Sequence, residues 1–575
     1  LIFKAGNSFC NHMGNKSFAM GYKTGKIVAL LVSFSLLIIL SSCFSRHKKT
    51  AVSFFGSQTA KFSEDDFASA LKTSFGDNPA DSSFLKNKNS DIGKRMRYVY
   101  STYEFLPLWL NENGNTDAAE KFLEELGNLK KEGIGPERYK LSELIDRLQA
   151  FKKSKTVDAA QLLALDTTLT RTYLQASKDL LLGMISPKKA DSLWYHANDS
   201  NWHPEHSLIN TLANEEKYPT LDSFRSRLKT YDLLMKAREH YGKLAQDNRF
   251  MSAKKALSEN RGAADSLIPY IIRTELPFNA GSADVTTESG LALLLNSYQE
   301  YYSIKPTGKL DTTTLKCLTR LPDSVLTTID LNLERVRWMQ QNPEPLYVIV
   351  DVPLMELFLH NGGQDAMHMR VVVGKPIRQT PSLSADMANV VINPPWGVPP
   401  TILKKDVLPG MQKSGSAYLA KKDLKVFDHK GHEVDASRVN ASNYKQFMFK
   451  QPPGDDNALG YVKFNLPNKW DIYLHDTPHR DLFDKTDRAQ SSGCVRVQQP
   501  KEMAVYILSE IEKKNFTMET LDSAIRTQKT KWEILKNKIP VHIVYLTAFD
   551  DPSHSYSRFP QDIYKRDKAL AMALK

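Results

Sequence analysis

Around Pro343 and Pro345 the apolar periodicity of this 575-residue chain changes, and no single-class fold accommodates both sides of the change. Upstream, apolar positions recur at intervals of three and four, as in residues 118–126 (AAEKFLEEL) and 162–165 (LLAL), a spacing that predicts helices with one buried stripe. Downstream, the runs 347–352 (YVIVDV), 354–360 (LMELFLH), 368–374 (HMRVVVG) and 389–396 (NVVINPPW) are short, rich in β-branched residues and separated by turn residues. They predict strands. A further strand is expected at 541–547, after a helix over 500–513.

A chain of this length is too long for one core and implies several domains. The expectation is a multidomain α+β protein. Residues 1–43 form an export segment, 44–64 a tether, 65–281 a mainly helical region, 282–325 a compact helical unit, and 326–342 a connecting helix with Leu331, Leu333, Val336 and Trp338 on or near one face. Residues 343–549 form the β-rich domain, followed by a tail at 550–575. Within the β-rich domain, residues 401–459 are rich in Lys, Asp and Gly with weak periodicity, which reads as an insertion over the sheet. In the 282–325 unit, two short helices are joined by a turn at Gly308, with Asp311 capping the second.

The N-terminal region bears on compartment. Lys23 and Lys26 precede an uncharged apolar run from Ile27 to Leu40, then Ser41, Ser42 and Cys43. This is the layout of a secretory signal, shorter than the ~20 residues of a comfortable membrane span. An uncleaved signal anchor is the alternative. Residues before Met20, including Cys10, are expected to precede the true start. The Leu-Ser-Ser-Cys edge resembles a bacterial lipobox, which implies cleavage before Cys43, lipidation of its thiol, and a protein held on the periplasmic side of the envelope; Phe44 rather than Asp after the cysteine favours the outer membrane. A net charge of +12 suits acidic partners such as anionic lipid or wall polymer. Without a dense Lys/Arg stripe interleaved with aromatics, nucleic acid is not expected.

Two of the four cysteines remain for the folded part. Cys317 lies in an amphipathic stretch where a buried structural thiol is expected. Cys494 lies in residues 491–497 (SSGCVRV), 19 residues beyond His475 in the strand-like run 472–478 (IYLHDTP). A disulfide joining the two is the alternative to a free thiol. A thiol attacks carbonyls as thiolate, so it needs a base or a cationic setting, and His475 is the obvious base. Gly493 permits a tight turn, so that N–H groups of Gly493 or Cys494 can face a developing oxyanion. Arg496 either binds a substrate carboxylate or holds the loop. His475 and His479 have a His-x-x-x-His spacing, but Pro478 and the missing Glu break the zinc-helix pattern, and His196, His203 and His206 are loosely spaced. No metal and no cofactor are expected.

His475 followed by residues 491–496 (SSGCVR) resembles the catalytic signature of the L,D-transpeptidases, the YkuD-type domain. Residues 393–400 (NPPWGVPP) and 452–460 (PPGDDNALG) resemble the long branch of that family, in which a helical scaffold and a peptidoglycan-binding module accompany a mainly-β catalytic domain with a capping insertion. Residues 298–302 (YQEYY) and 307–315 (TGKLDTTTL) resemble a three-helix peptidoglycan-binding module. Much of the family has His before the Gly-Cys pair where this chain has Ser492. The resemblance implies Cys494 as nucleophile and His475 as base. Ser492, Gly493 and Arg496 would shape the oxyanion and substrate site, with Tyr473 and Trp396 lining the donor pocket. It also implies peptidoglycan stem peptides as substrate, a thioester intermediate, release of terminal D-Ala, a 3→3 cross-link, and acylation by carbapenems. An L,D-carboxypeptidase, a wall-to-lipoprotein transferase or a non-catalytic wall-binding lipoprotein are the alternatives. Oligomeric state is left open.

Overall fold

The computed structural model describes residues 60–75, 92–196, 202–212, 218–259, 264–278, 284–339, 341, 344–440, 442–550 and 556–575. The expected signal, Cys43 and nearly all of the tether lie outside them. No helix among the described residues is long and apolar enough to cross a membrane.

The first part is helical, as its period predicts. Its longest helix, α1 (Ala159–Leu182), starts where Asp158 accepts a hydrogen bond from Gln161 N–H and buries Leu162, Leu165, Leu169 and Tyr173. A second long helix, α2 (Lys229–Gln246), follows. In the compact unit, α3 (Glu288–Tyr301) and α4 (Thr312–Leu318) are joined through Gly308 at φ +63°, and Asp311 accepts from Thr314 N–H at 2.8 Å. Gln299, fully buried, satisfies the turn: its Oε1 accepts from Thr307 N and Gly308 N, while its Nε2 donates to Lys309 O and Thr314 Oγ1.

The connecting helix α5 (Pro322–Arg337) starts and ends a few residues earlier than expected, and it is not one-faced. It is enclosed by helices on one side and the sheet on the other, so polar residues are buried with the apolar ones. Asn332 accepts from Thr547 N at 2.9 Å, Arg335 pairs with Asp567 at 2.6 Å, and Arg337 donates to Glu132 O at 2.5 Å. These bonds fix the helical part to the β domain.

Besides a small pair formed by Phe549–Asp550 and Ser557–Arg558, the strands among the described residues are β1 (Trp194–Tyr195), β2 (Leu346–Asp351), β3 (Glu356–Asn361), β4 (Gln364–Gly374), β5 (Ser382–Ile392), β6 (Trp396–Gly397), β7 (Lys425–Phe427), β8 (Glu433–Val434), β9 (Met448–Gln451), β10 (Val462–Asn465), β11 (Leu474–His475), β12 (Ala489–Ser491), β13 (Val495–Val497) and β14 (Lys531–Val544). Pairing runs β5-β10-β11-β13-β4-β3-β2-β14, and β14 returns to β5, so the path closes. Alternate residues, among them Val390, Ile392, Val462, Phe464, Leu474, Val495 and Val497, join Met503 of α6 (Pro500–Tyr506) and Leu521 of α7 (Met518–Arg526) in one core. The residues between them take the opposite face.

The 401–459 insertion is more regular than its composition suggests. Short helices over Leu403–Val407, Leu408–Ser414 and Ser416–Lys421 pack on a second sheet, β6-β9-β7-β8, around a core of their own that includes Leu419, Val426 and Phe449. Its apolar residues are spread thinly over short elements, which hides their period. The segment expected as a tail is also part of the fold: Tyr564, Arg566 and Leu570 are buried, and residues 566–574 form a helix.

Candidate active site

Register places the site. Lys463 pairs with His475 across β10 and β11, and His475 pairs with Arg496 across the parallel strands β11 and β13. Leu474 and Val495 between them point into the core, so Tyr473, His475, Cys494, Arg496 and Lys463 share the opposite face. Parallel pairing thus brings together two segments 19 residues apart in sequence.

Cys494 is a free thiol, as is Cys317, so no disulfide joins them. Its sulfur lies 3.5 Å from Asp471 O, and Asp471 itself has φ +53°. The Tyr473 backbone N–H and hydroxyl lie toward the sulfur and favour its thiolate, and the Trp396 indole lies toward the Tyr473 hydroxyl. Burial nevertheless pushes the Cys494 thiol up to about 11, outweighing the pull of Tyr473, Lys463 and Arg496. Cys317 is pushed up to about 11 as well, chiefly by burial, in keeping with a structural thiol.

His475 is buried, and its Nδ1 lies 2.5 Å from Asp476 O. A carbonyl only accepts, so Nδ1 carries the proton and Nε2 keeps its lone pair. Burial first, then the Arg496 charge, pushes the imidazole down to about 3. The resting pair is therefore neutral thiol and neutral imidazole, and among the described residues no hydrogen bond joins them. Alkylation of Cys494 by iodoacetamide should consequently keep rising about tenfold per pH unit to near pH 10, as the thiolate fraction of a high-pKa thiol does. A plateau below pH 7 would instead mean a standing thiolate–imidazolium pair.

The loop before Cys494 is held from beneath by residues 374–380. Lys375 N–H donates to Ser491 O at 3.0 Å, Arg378 Nη1 donates to Ser492 Oγ at 2.9 Å, and Thr380 Oγ1 donates to Gly493 O at 2.8 Å. Gly493 has φ +128°, strained for any other residue. One expectation needs correction. The Gly493 N–H is spent on Ser491 Oγ at 3.1 Å and is not an oxyanion donor; the Ser491 hydroxyl in turn donates to Cys494 O. Cys494 N–H has no such partner among the described residues.

Ser492 is bonded by Arg378, which links it to the cap. Arg378 grips Asp406 of the insertion with two bonds, 2.5 and 2.8 Å, while reaching Ser492. Arg378→Ala should free the cap from the loop before Cys494. Asp406 is partly exposed, so the link is worth roughly 1 kcal/mol, or about fivefold faster hydrogen exchange over Leu403–Ser414. Unchanged exchange there would remove the link.

Arg496 pairs with no carboxylate among the described residues, and its Nε is buried without a partner. Lys463, absent from the sequence expectations, sits 4.0 Å over the Tyr473 ring and pairs with no acid there either. Its signal was readable: it alternates with Val462 and Phe464, which fill the core. The supports Asn468, Thr380 and Tyr564 left no comparable sign. Asn468 shapes the turn to Asp471 through bonds to Trp470 N, Ile472 N and Ile472 O. Thr380 and Tyr564 meet beneath Gly493 from segments far apart in sequence.

The histidines outside the site fall apart. His479 is exposed. His196 lies against Ser384 and Ile543 O, whereas His203, Glu205 and His206 bring ligand atoms within 4.8 Å of one another. Glu205 is already committed to buried Arg95 at 2.5 Å. A cavity of about 410 Å³ lined by His196, His360 and His542 lies between the helices and the sheet, away from Cys494.

Residues 345–534 match the model of the L,D-transpeptidase catalytic domain, and residues 94–237 match that of a scaffold domain. A Haemophilus influenzae protein named "Putative L,D-transpeptidase" is 33% identical over 229 residues, 39% of this chain and 45% of that protein. The chain thus spans about half the length of the curated relative it matches. A solved structure of an Ldtfm-avibactam carbamoyl enzyme aligns with 36% of this chain and 51% of that one at 12% identity, but its TM-score of 0.17 carries no weight for the site.

Proposed function

We propose, from the premise that residues 345–534 form an L,D-transpeptidase catalytic domain behind a helical scaffold, that the chain joins peptidoglycan stem peptides through a thioester on Cys494. The observation that carries this reading is Cys494 beside Tyr473 on the same face as His475, whose Nδ1 is held by Asp476 O, with Arg496 and Lys463 next to them and, among the described residues, in no ion pair.

The Cys494 sulfur attacks the carbonyl of the third residue of a tetrapeptide stem as His475 Nε2 takes the thiol proton. With both groups neutral at rest, the proton moves during attack rather than before it. Cys494 N–H and the Tyr473 hydroxyl would stabilise the oxyanion. Arg496 and Lys463 suit the stem carboxylate. As the tetrahedral carbon collapses, the imidazolium gives its proton to the departing D-Ala nitrogen and the thioester remains. An acceptor side-chain amine then attacks, loses a proton to His475, and expels the sulfur. The product is a 3→3 cross-link and the thiol is restored.

Lipidation at Cys43 would tether the chain on the periplasmic side of the outer membrane, where this polymer lies; the support is the export pattern of residues 23–43. Incubating the full chain with disaccharide-tetrapeptides tests the reaction. A dimer lacking one D-Ala is expected. Tripeptide alone would mean water is the acceptor, and wall binding without D-Ala release would reduce the chain to a wall-binding protein.

A further inference from the structure

The active-site face does not end at Lys463. Val391 of β5 pairs with Lys463, and Trp532 of β14 pairs with Val391, so Trp532, Val391, Lys463, His475 and Arg496 form one row across five strands. Ile534 stands two residues along on the same face. Two strand steps of about 4.8 Å, through buried Val391, carry the row from Lys463 to Trp532. Trp532 is 57% exposed and Ile534 is 72% exposed, although Trp is normally well covered. An exposed apolar pair of this kind marks a contact surface when it adjoins a site.

The platform is held in place. Asn393 Nδ2 donates to the carbonyls of Ala524, Ile525 and Lys529, and Thr530 Oγ1 donates back to Asn393 O at 2.8 Å, so the start of β14 is stitched to the strand end that leads into Trp396 and the cap. Lys529, Lys536 and Lys538 are exposed around it, and Lys531 pairs with Glu533 at 2.8 Å. A flat indole fits the C–H face of a sugar ring, and the surrounding ammonium groups fit peptide carboxylates.

We infer that Trp532 and Ile534 form a second contact surface for the sugar strand of the wall polymer, holding an acidic glycopeptide chain while one of its stems reaches Cys494. This rests on the proposed function and adds to it a subsite for the polymer that a short stem does not use. The test uses the full chain and the Trp532→Ala/Ile534→Ser variant, both residues being exposed enough for the variant to fold. Turnover is measured on a soluble disaccharide-tetrapeptide and on insoluble wall polymer. The ratio of polymer to monomer turnover is expected to fall at least tenfold, with Trp532→Phe regaining most of it. A ratio within twofold of the unmodified chain overturns the inference. If the unmodified chain turns over neither substrate, the proposed reaction fails, and co-sedimentation with the polymer decides the inference separately: equal binding by both proteins overturns it. Loss of binding to anionic phospholipid vesicles with polymer binding intact also overturns it, in favour of a bilayer contact.

Discussion

Cys494→Ala is expected to give a folded protein in which acyl-enzyme formation falls by roughly ten-thousand-fold or more, to background. The fold should persist because the sulfur does not hold its own loop. Ser491, Ser492 and Gly493 are bonded by Lys375, Arg378 and Thr380, and these bonds survive the substitution. The thiol is only half-buried, so removing one sulfur should cost about 1 kcal/mol. Cys317 offers no substitute nucleophile, since it packs in the helical core with a raised pKa. Intact-protein mass after incubation with a tetrapeptide stem or a carbapenem reads the outcome. An adduct retained by the alanine variant would move the nucleophile elsewhere.

Removing the base should have the second-largest effect. His475→Asn keeps a donor for the Asp476 carbonyl but supplies no imidazole, and acylation is expected to slow by about 10² to 10⁴. The pH profile separates this role from a structural one. The buried imidazole of the unmodified protein is down to about 3 and the thiol is up to about 11, so neither titrates near neutrality and its acylation rate should be nearly flat from pH 5 to 9. Without the base, the rate must follow the rare thiolate and should rise about tenfold per pH unit across that range. A variant that is slower but equally flat would show that His475 supports the site without accepting the proton.

Much of this site was readable because it rests on local patterns. The alternation in residues 472–475 put Tyr473 and His475 on one face, and Gly493 announced the turn before Cys494. The change of period at Pro343 likewise separated helices from sheet. What stayed hidden depends on long-range pairing. Lys463 enters through β10, Arg378 through its grip on Asp406, and Tyr564 through a segment that reads as a tail yet donates to Gly374 O beneath the nucleophile loop. The Gly493 N–H failed as an oxyanion donor for a local reason instead: Ser491, two residues back, captures it. The pattern of α5 shows one apolar face, whereas Asn332, Glu334, Arg335 and Arg337 are buried too, because partners distant in sequence cover them.

The most direct test is to quench the full chain during turnover of a tetrapeptide stem and map the acylated peptide by mass spectrometry. The predicted result is a stem lacking its terminal D-Ala, attached by a hydroxylamine-labile bond to the peptide containing Cys494. Turnover with no adduct on Cys494, or with the adduct on another residue, would contradict the proposed chemistry.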